Sequence, residues 1–251
     1  MMSLDLSAYR PPPHPKGIRL SGDHVILVPL DAKAHGPALY AASDSQAGRA
    51  NWRYLPYGPF ADAPRYGDWL SSIENQNDPV FFTIIRRHDN CPVGVASYLR
   101  IHPEDGTIEV GHIHFSPLLQ RTTAATEALF LMMQWAFESG YRRYEWKCNA
   151  QNAPSRQAAI RLGLSYEGVF RQATISKGLN RDTAWFAAID KDWPHLKQAF
   201  LQYLSDDNFD RDGAPLTSLS TLTSPLLFKT DDNTLLRGSC RLYHLKPPLI
   251  I

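Results

Sequence analysis

Short runs of β-branched and aromatic residues alternate along this chain with longer stretches in which apolar residues recur every three to four positions. The first pattern is typical of strands, and the second is typical of helices that bury one face. Runs at 80–86, 93–101 and 107–115 are therefore predicted to be strands. Because turn residues separate them at 88–90 and 102–106, the three strands are predicted to form an antiparallel meander.

The next sixty residues predict a strand, helix, strand and helix in succession. Apolar residues share one face of a helix predicted at 124–139, which Gly140 ends. A short strand is predicted at 144–148, and a second helix begins at about 152 and ends at Gly163. This order favours neighbouring parallel strands joined by a right-handed crossover.

Further elements are predicted on both sides of this unit: a hairpin at 17–29, helices that begin at Asp31 and Pro64, and strands at 167–175 and 183–189. The predicted order of elements is β-α-α-β-β-β-α-β-α-β-β. It describes one α+β domain built around a single sheet.

Composition divides the chain into three parts. With 251 residues and 43% hydrophobic content, the chain can bury a core in one domain, which is predicted at 17–204. Consecutive prolines predict an extended arm at 1–16, since they exclude helix. Asp, Ser and Thr dominate 205–234 without any sustained period, and 205–251 is predicted to be a disordered tail.

Charge and cysteine usage narrow the class of protein. The formal net charge is +1, so no broad electrostatic attraction to nucleic acid or to an anionic membrane is predicted. Cys91, Cys148 and Cys240 are scattered, which favours free thiols in a reducing compartment. No leader pattern or long apolar run is evident, and a cytoplasmic protein is expected.

The turn Gln120-Arg121-Thr122-Thr123 lies between a predicted strand and the N-terminus of a predicted helix. A helix N-terminus presents unpaired backbone N–H groups and the positive end of the helix dipole. The turn is therefore a candidate anion site.

Several motifs in order give this region a family resemblance. They are Glu109 with Gly111, Gln120-Arg121-Thr122-Thr123-Ala124-Ala125, Thr126-Glu127-Ala128, Asn152-Ala153-Pro154-Ser155, Arg161-Leu162-Gly163-Leu164, Glu167-Gly168-Val169-Phe170-Arg171, Lys177-Gly178 and Asp182. Over roughly 17–193 the chain resembles the GCN5-related N-acetyltransferase (GNAT) family, and within it the ribosomal-protein-serine and ribosomal-protein-alanine N-acetyltransferases. The resemblance implies a GNAT-type α+β fold, in which a mostly antiparallel twisted sheet is splayed between strands 4 and 5 and flanked by helices.

The resemblance also implies acetyl-CoA as co-substrate, without a metal, and direct acetyl transfer to a primary amine. It implies that cofactor-binding residues lie on the strand, the turn and the second helix, namely Ile113, Phe115, Gln120, Arg121, Thr122, Thr123, Ala124, Ala125, Asn152 and Ser155. By the resemblance, Ser155 is expected to stabilise or protonate the leaving thiolate, although Asn152 and Ser155 also suit helix capping.

An amine must lose a proton before it can attack, so a base is expected. Glu109 is the first candidate and His112 the second, while a buried carboxylate paired with Arg100, His112 or His114 is the structural alternative for Glu109. His112 and His114 share a strand face but have no third metal ligand nearby, so no metal is expected.

Thr123 departs from the family pattern, which usually has Gly there. A β-branched residue resists positive φ. Either this position keeps negative φ and Thr123 adds a hydroxyl near the phosphate, or pyrophosphate binding is impaired.

The acceptor side is less determined by the sequence. The loop between the first two predicted helices carries Trp52, Tyr54, Tyr57 and Phe60, which either contact the acceptor or close the core beneath the loop. A peptide N-terminus, which the resemblance implies, and a small-molecule amine are both expected as possible acceptors. Arg171, Lys177 and Arg181 border the final hairpin, where an acidic acceptor could meet them.

One alternative of a different class remains open. A non-catalytic acyl-CoA-binding or sensor module would keep the fold without turnover, and the chain is expected to be a monomer or a homodimer. Nucleic acid and membrane partners are not expected.

Overall fold

The computed structural model describes residues 5–228, which contain one mixed sheet of eight strands. In chain order the strands are β1 Leu20–Ser21, β2 Val25–Pro29, β3 Val80–Arg86, β4 Cys91–His102, β5 Thr107–Phe115, β6 Arg143–Asn149, β7 Ser165–Ser176 and β8 Leu179–Ile189. In the sheet they lie in the order β1-β2-β3-β4-β5-β6-β8-β7.

Seven helices accompany the sheet within the described residues. They are α1 Ala32–Ser43, α2 Gln46–Ala50, α3 Ala63–Ile73, α4 Thr123–Glu138, α5 Ala153–Arg161, α6 Trp193–Leu204 and α7 Leu219–Thr223. The predicted helix starts are confirmed by their caps: the side chains of Asp31, Thr122 and Asn152 accept N–H bonds from the first turns of α1, α4 and α5. Helix α2 and the 3-10 turn that follows it at Asn51–Tyr54 were not predicted.

Strands β5 and β6 form the parallel pair and separate after four residue pairs. Their register runs from Thr107 opposite Arg143 to Val110 opposite Trp146, and each strand then continues without the other. The other neighbouring pairs are antiparallel. The predicted splay is thus confirmed; strands 4 and 5 of the sequence prediction, which counted the first hairpin once, are β5 and β6.

Helices cover the sheet through two hydrophobic clusters. The neighbours Phe81 and Phe82 point to opposite faces of β3, as residues of a strand do, and they belong to different clusters. Phe82 packs in the larger cluster, to which α4 and α6 contribute, and Phe81 in the smaller one with Leu39 of α1 and Leu70 of α3. Fully burying one such side chain stabilises the fold by roughly 1.5–3 kcal/mol.

Glu127 of α4 holds the turn of the first hairpin. Its buried carboxylate accepts N–H bonds from Asp23, His24 and Val25, each at 2.8 Å. A Cβ atom at Gly22 would lie 2.3 Å from the Glu127 carboxyl carbon, so only glycine fits beside it. Glu127 therefore links the start of the sheet to α4, the helix that follows the anion turn.

The prediction of a disordered tail is wrong for residues 205–228. Leu219 of α7 is fully buried, and the Thr223 hydroxyl donates to the backbone oxygen of Arg161 at 2.9 Å. Polar composition concealed this packing because a few apolar residues are enough to seat a five-residue helix beside α5 and α6. Residues 229–251, the rest of the predicted tail and the site of Cys240, lie outside the described residues.

The predicted arm packs on the domain over its described part. The Tyr9 hydroxyl donates to the Pro103 oxygen at 2.9 Å, and the Tyr141 hydroxyl donates to the Pro13 oxygen at 3.1 Å. Among the helices of residues 5–228, none combines the length and apolar character that crossing a bilayer requires.

We predict that Glu127→Ala lowers the free energy of unfolding by about 3 kcal/mol, because it leaves buried N–H groups without an acceptor. Urea unfolding followed by circular dichroism measures this. Glu138→Ala, at the exposed end of the same helix, is the matched control and should change the free energy by less than about 1 kcal/mol. Equal effects of the two substitutions would contradict the assignment.

Candidate functional site

A cleft of about 460 Å³ opens where β5 and β6 separate. Strand β5 contributes Glu109 to Ile113, and β6 contributes Trp146 to Asn149. Helix α5, the loop after α2 and the β7–β8 hairpin form the remaining walls. Such a crevice, lined by polar groups and aromatic rings, is the usual form of a small-molecule site.

A bulge in β5 shapes this cleft. His112 has a φ of +50°, and the register between β4 and β5 shifts between the pairs Val95–His114 and Ser97–Gly111. A bulge adds a residue to one strand and bends it. The bend follows directly on the last paired residue, Val110, so it accompanies the separation of β5 from β6.

Glu109 lies at the base of the cleft between two cations. Its carboxylate is 2.7 Å from Arg100 Nη1 and 2.9 Å from Lys147 Nζ, and Lys147 also lies 2.7 Å from Glu145. Burial raises the pKa of Glu109, although the charges of Lys147 and Arg100 act in the opposite direction. Glu109 is thus a buried carboxylate paired with Arg100, as the alternative to a catalytic role predicted, and it also lines the cleft.

Lys147 is a site residue that the sequence analysis missed. It is almost fully buried, and its Nζ atom lies 3.6 Å from the centre of the Trp185 ring. A lysine within a short strand carries no sequence signal for this role, since its partner Glu109 is on another strand.

Ser155 and Asn152 face the cleft from the start of α5. The Ser155 hydroxyl oxygen accepts a 3.0 Å bond from the Trp146 indole N–H, and the Asn152 side chain accepts the Ser155 N–H at 3.3 Å. Because an indole can only donate, the Ser155 hydroxyl keeps its own proton for another acceptor. The predicted capping role of Asn152 is confirmed, and Ser155 also points a donor group towards the cleft.

The anion turn shows which of its residues has a positive φ. Thr123 is the first residue of α4, and the left-handed residue is Arg121, with φ of +61°. No hydrogen bond within residues 5–228 uses the N–H groups of Thr123 and Ala124. Thr123 therefore keeps negative φ, and two free N–H groups stand at the helix N-terminus.

The other residues predicted to bind the cofactor divide by their contacts. Ile113 lines the cleft. The Phe115 backbone oxygen already accepts bonds from the side chains of Asn51 at 3.1 Å and Gln120 at 3.0 Å. Thr122 caps α4, accepting the N–H of Ala125 at 3.2 Å.

The four aromatic residues of the long loop do not share one role. Trp52 is 3% exposed and stacks on His114 with ring centres 3.7 Å apart, and Phe60 packs against Trp52 at 5.3 Å. Tyr54 lines the cleft, and the Tyr57 hydroxyl lies 2.8 Å from His112 Nδ1 in the cleft wall. The structure thus places Trp52 and Phe60 in the core, Tyr54 at the cleft, and Tyr57 behind His112.

The tip of the β7–β8 hairpin is tied to this loop. Lys177 Nζ donates to the backbone oxygens of Trp52 at 2.8 Å and Gly58 at 2.7 Å. The hairpin and the loop therefore close one end of the cleft together. Across residues 5–228, no three His, Cys, Asp or Glu side chains group closely enough to hold a metal ion.

The parallel pair separates where the resemblance to the GNAT family predicts a splay, and free N–H groups stand at the start of α4. The family model described as an acetyltransferase (GNAT) domain matches residues 24–165, and the chain belongs to this family. The protein is therefore an acyltransferase of the kind that uses acetyl-CoA.

Two solved structures and one curated relative support the assignment. A GCN5-related N-acetyltransferase from Brucella melitensis is 42% identical, with a TM-score of 0.84, covering 86% of this chain and 98% of that chain. A probable acetyltransferase from Chromobacterium violaceum is 38% identical, with a TM-score of 0.72, covering 77% and 97%. The ribosomal-protein-serine acetyltransferase of Escherichia coli is 32% identical over 98 residues, which are 39% of this chain and 54% of that relative.

The buried His114 predicts acid sensitivity. Burial lowers its pKa from 6.5 to about 4, so between these pH values the unfolded chain binds a proton that the folded chain does not. The contribution of His114 to the free energy of unfolding is therefore fully present above pH 6.5. It falls by about 3 kcal/mol as the pH drops towards 4.

We predict that His114→Phe, which keeps a ring against Trp52, flattens this dependence. Urea unfolding at a series of pH values between 6.5 and 4 measures it. His195→Gln, at an exposed position of α6, is the control and should leave the slope unchanged. Identical slopes for the wild type and His114→Phe would contradict the prediction.

Proposed function

We propose that the protein is an N-acetyltransferase that transfers the acetyl group of acetyl-CoA directly to a primary amine while both are bound. The observation that carries this proposal is the position of Ser155 and Glu109 in one cleft. A proton donor fixed by Trp146 and a buried carboxylate are the two groups that amine acetylation requires.

The turn before α4 fits the pyrophosphate of the cofactor. The free N–H groups of Thr123 and Ala124 and the positive end of the helix dipole would hold it, with Arg121 beside them. Ile113, on the part of β5 that has separated from β6, and Asn152, which caps α5, would flank the pantetheine arm. When bound, acetyl-CoA supplies an acetyl group activated as a thioester, with the CoA thiolate as the leaving group.

Ser155 is proposed to donate its proton to the departing sulfur atom. Its oxygen is already occupied as the acceptor of the Trp146 N–H, which leaves the hydroxyl proton free to point into the cleft. For an acceptor that has already lost its ammonium proton, the nitrogen–carbon bond would form as the carbon–sulfur bond breaks. The nitrogen would give its remaining proton to Glu109, and the sulfur would gain a proton from Ser155. Return of the Glu109 proton to Ser155 through solvent would restore both groups.

Glu109 is proposed to take the proton of the amine. Burial raises the pKa of Glu109, which makes it a stronger base than an ordinary carboxylate. Burial lowers the pKa of His112 to about 4, which makes that imidazole the weaker base although it also lines the cleft. His112 remains the second choice.

A covalent acyl-enzyme on cysteine is disfavoured by the environment of Cys148. This thiol lines the cleft, yet burial raises its pKa above the usual value. A thiol is nucleophilic only as the thiolate, so a raised pKa makes Cys148 a poor nucleophile at neutral pH.

The acceptor is proposed to bind in the part of the cleft that Tyr54 and the β7–β8 hairpin line. A small amine and a peptide N-terminus are both candidates. The name of the Escherichia coli relative, a ribosomal-protein-serine acetyltransferase, supports the inclusion of N-terminal peptides among the candidates.

Thiol release during incubation with acetyl-CoA and a mixed panel of amines and N-terminal peptides tests the proposal, together with calorimetric titration by acetyl-CoA. We predict release with at least one acceptor. Ser155→Ala should lower kcat about 100-fold and change the affinity for acetyl-CoA less than about 3-fold. Ser72→Ala, on an exposed face of α3, is the control and should leave both unchanged.

Equal losses of turnover and affinity in Ser155→Ala would make Ser155 a binding or folding residue. Acetyl-CoA binding without thiol release from any acceptor would favour a sensor module.

The anion turn has its own test, Thr123→Pro. Proline suits the first position of a helix, and the preceding Thr122 is already extended at φ −104° and ψ 162°, as a residue before proline should be. The substitution removes one N–H group from the turn. We predict that the Kd for acetyl-CoA rises about 10-fold, measured by calorimetry.

Ala63→Pro makes the same change at the first residue of α3, where Asp62 is also extended, and should leave acetyl-CoA binding unaffected. An unchanged Kd for Thr123→Pro with a normal unfolding temperature would place the pyrophosphate elsewhere.

A further inference from the structure

Three cationic side chains of the β7–β8 hairpin occupy different environments. Lys177 is engaged with the backbone of the aromatic loop, and Arg171 is exposed and does not line the cleft. Arg181 lines the cleft, and residues 5–228 offer it neither an ion pair nor a hydrogen bond. Its Nε atom is buried without a partner.

Arg181 belongs to a row of donors on one face of β8. Arg181, Thr183 and Trp185 alternate along the strand, so they share a face, and all three line the cleft. The Trp185 indole N–H is likewise buried without an acceptor. Buried donors are almost always satisfied in folded proteins, so two unsatisfied donors on one cleft wall indicate a ligand that supplies acceptor atoms.

The charges of the cleft indicate the sign of that ligand. Among the described residues that line the cleft, three are cations, namely Arg100, Lys147 and Arg181, and one is a carboxylate, Glu109. Arg100 and Lys147 already contact Glu109. Arg181 is therefore an uncompensated positive charge. Burial lowers the pKa of Arg181, yet arginine remains charged at neutral pH, so the need for a counterion persists.

The cofactor does not meet this need. The negative charges of acetyl-CoA are on its pyrophosphate, which the proposed function places at the turn before α4, and on the ribose phosphate, which lies beyond the pyrophosphate at the end of the molecule remote from the thioester. Its pantetheine arm and thioester are neutral, so the anion at Arg181 has to come from the acceptor.

We propose that Arg181, together with the Trp185 indole N–H, binds a carboxylate of the acceptor, so that the substrates are amines that carry a carboxylate near the amino group. This inference rests on the proposed function. The planar fork of a guanidinium matches a carboxylate with two parallel hydrogen bonds, which also orients the acceptor. Polyamines, which carry only positive charge, are excluded from this class.

Two sources can provide such a carboxylate: the α-carboxylate of a free amino acid, or an acidic side chain next to the N-terminus of a peptide. The probes are therefore serine, alanine and phenylalanine, each compared with its carboxamide, and peptides beginning Ser-Asp or Ser-Glu, each compared with Ser-Asn or Ser-Gln. Spermidine is included as the cationic amine. Thiol release gives kcat and KM for each.

We predict that acceptors with the carboxylate have kcat/KM about 10- to 100-fold higher than their amides, in one of the two arms of the panel. Arg181→Met should remove this preference by raising KM for the acidic acceptor about 10- to 100-fold. The affinity for acetyl-CoA should stay within about 2-fold. Arg171→Met, a substitution on the same hairpin outside the cleft, should change none of these values.

Arg181→Lys separates charge from geometry. It keeps the positive charge but not the planar fork, so it should recover only part of the preference. The unfolding temperature of each variant, and its affinity for acetyl-CoA, show whether the variant is folded.

The outcomes distinguish the two proposals. Acetylation of amides or spermidine with a kcat/KM equal to that of the acidic acceptors would overturn the carboxylate site and leave the N-acetyltransferase proposal intact. An equal loss of kcat/KM for acidic and neutral acceptors in Arg181→Met would do the same. If no amine releases thiol, the proposed function fails. Calorimetric binding of the same amino acids and peptides in the presence of CoA then decides the anion site: binding that Arg181→Met abolishes supports it, and absent or unchanged binding overturns it.

Discussion

The contact on which the site depends is the bridge that Lys147 makes between Glu109 and Glu145. These two carboxylates are directly opposite each other in the parallel pair of β5 and β6, where like charges repel. Lys147 lies 2.9 Å from Glu109 and 2.7 Å from Glu145, almost fully buried. One ammonium group thus stands between the two carboxylates just before the strands separate, and Arg100 and Arg143 each contact one of them as well. The bridge holds the sheet together at the point where it must also open.

The same cluster joins stability to chemistry. Removal of one partner from a buried ionic cluster is costly, because the remaining charges stay desolvated and unpaired. Glu109 belongs to this cluster, and burial raises its pKa. The contacts that hold β5 to β6 therefore also fix the carboxylate that is proposed to take the proton. Beyond the bridge, Trp146 extends the arrangement by positioning Ser155 from the other side of the cleft.

Local signals in the sequence predicted the frame of this protein, and contacts between distant residues determined what the sequence could not predict. Helix caps such as Asp31 and Thr122 act within one turn, so their positions were predictable. Trp52 was ambiguous because an aromatic residue in a long loop has the same composition whether it binds a ligand or stacks on His114. Lys147 was missed because its partner Glu109 precedes it by a whole strand and helix. Leu219 was missed because its burial depends on α5 and α6.

The family match covers only part of the chain that lines the cleft. The family match covers residues 24–165, which include the turn before α4, Glu109 and Ser155. It ends as β7 begins, so β8 with Arg181 and Trp185 lies beyond it. The family model thus describes the part of the cleft that is proposed to hold acetyl-CoA, and it does not reach β8, which is proposed to face the acceptor. A shared fold can therefore establish the acyl donor while the acceptor has to be argued from particular side chains, above all from the charge that Arg181 leaves unpaired.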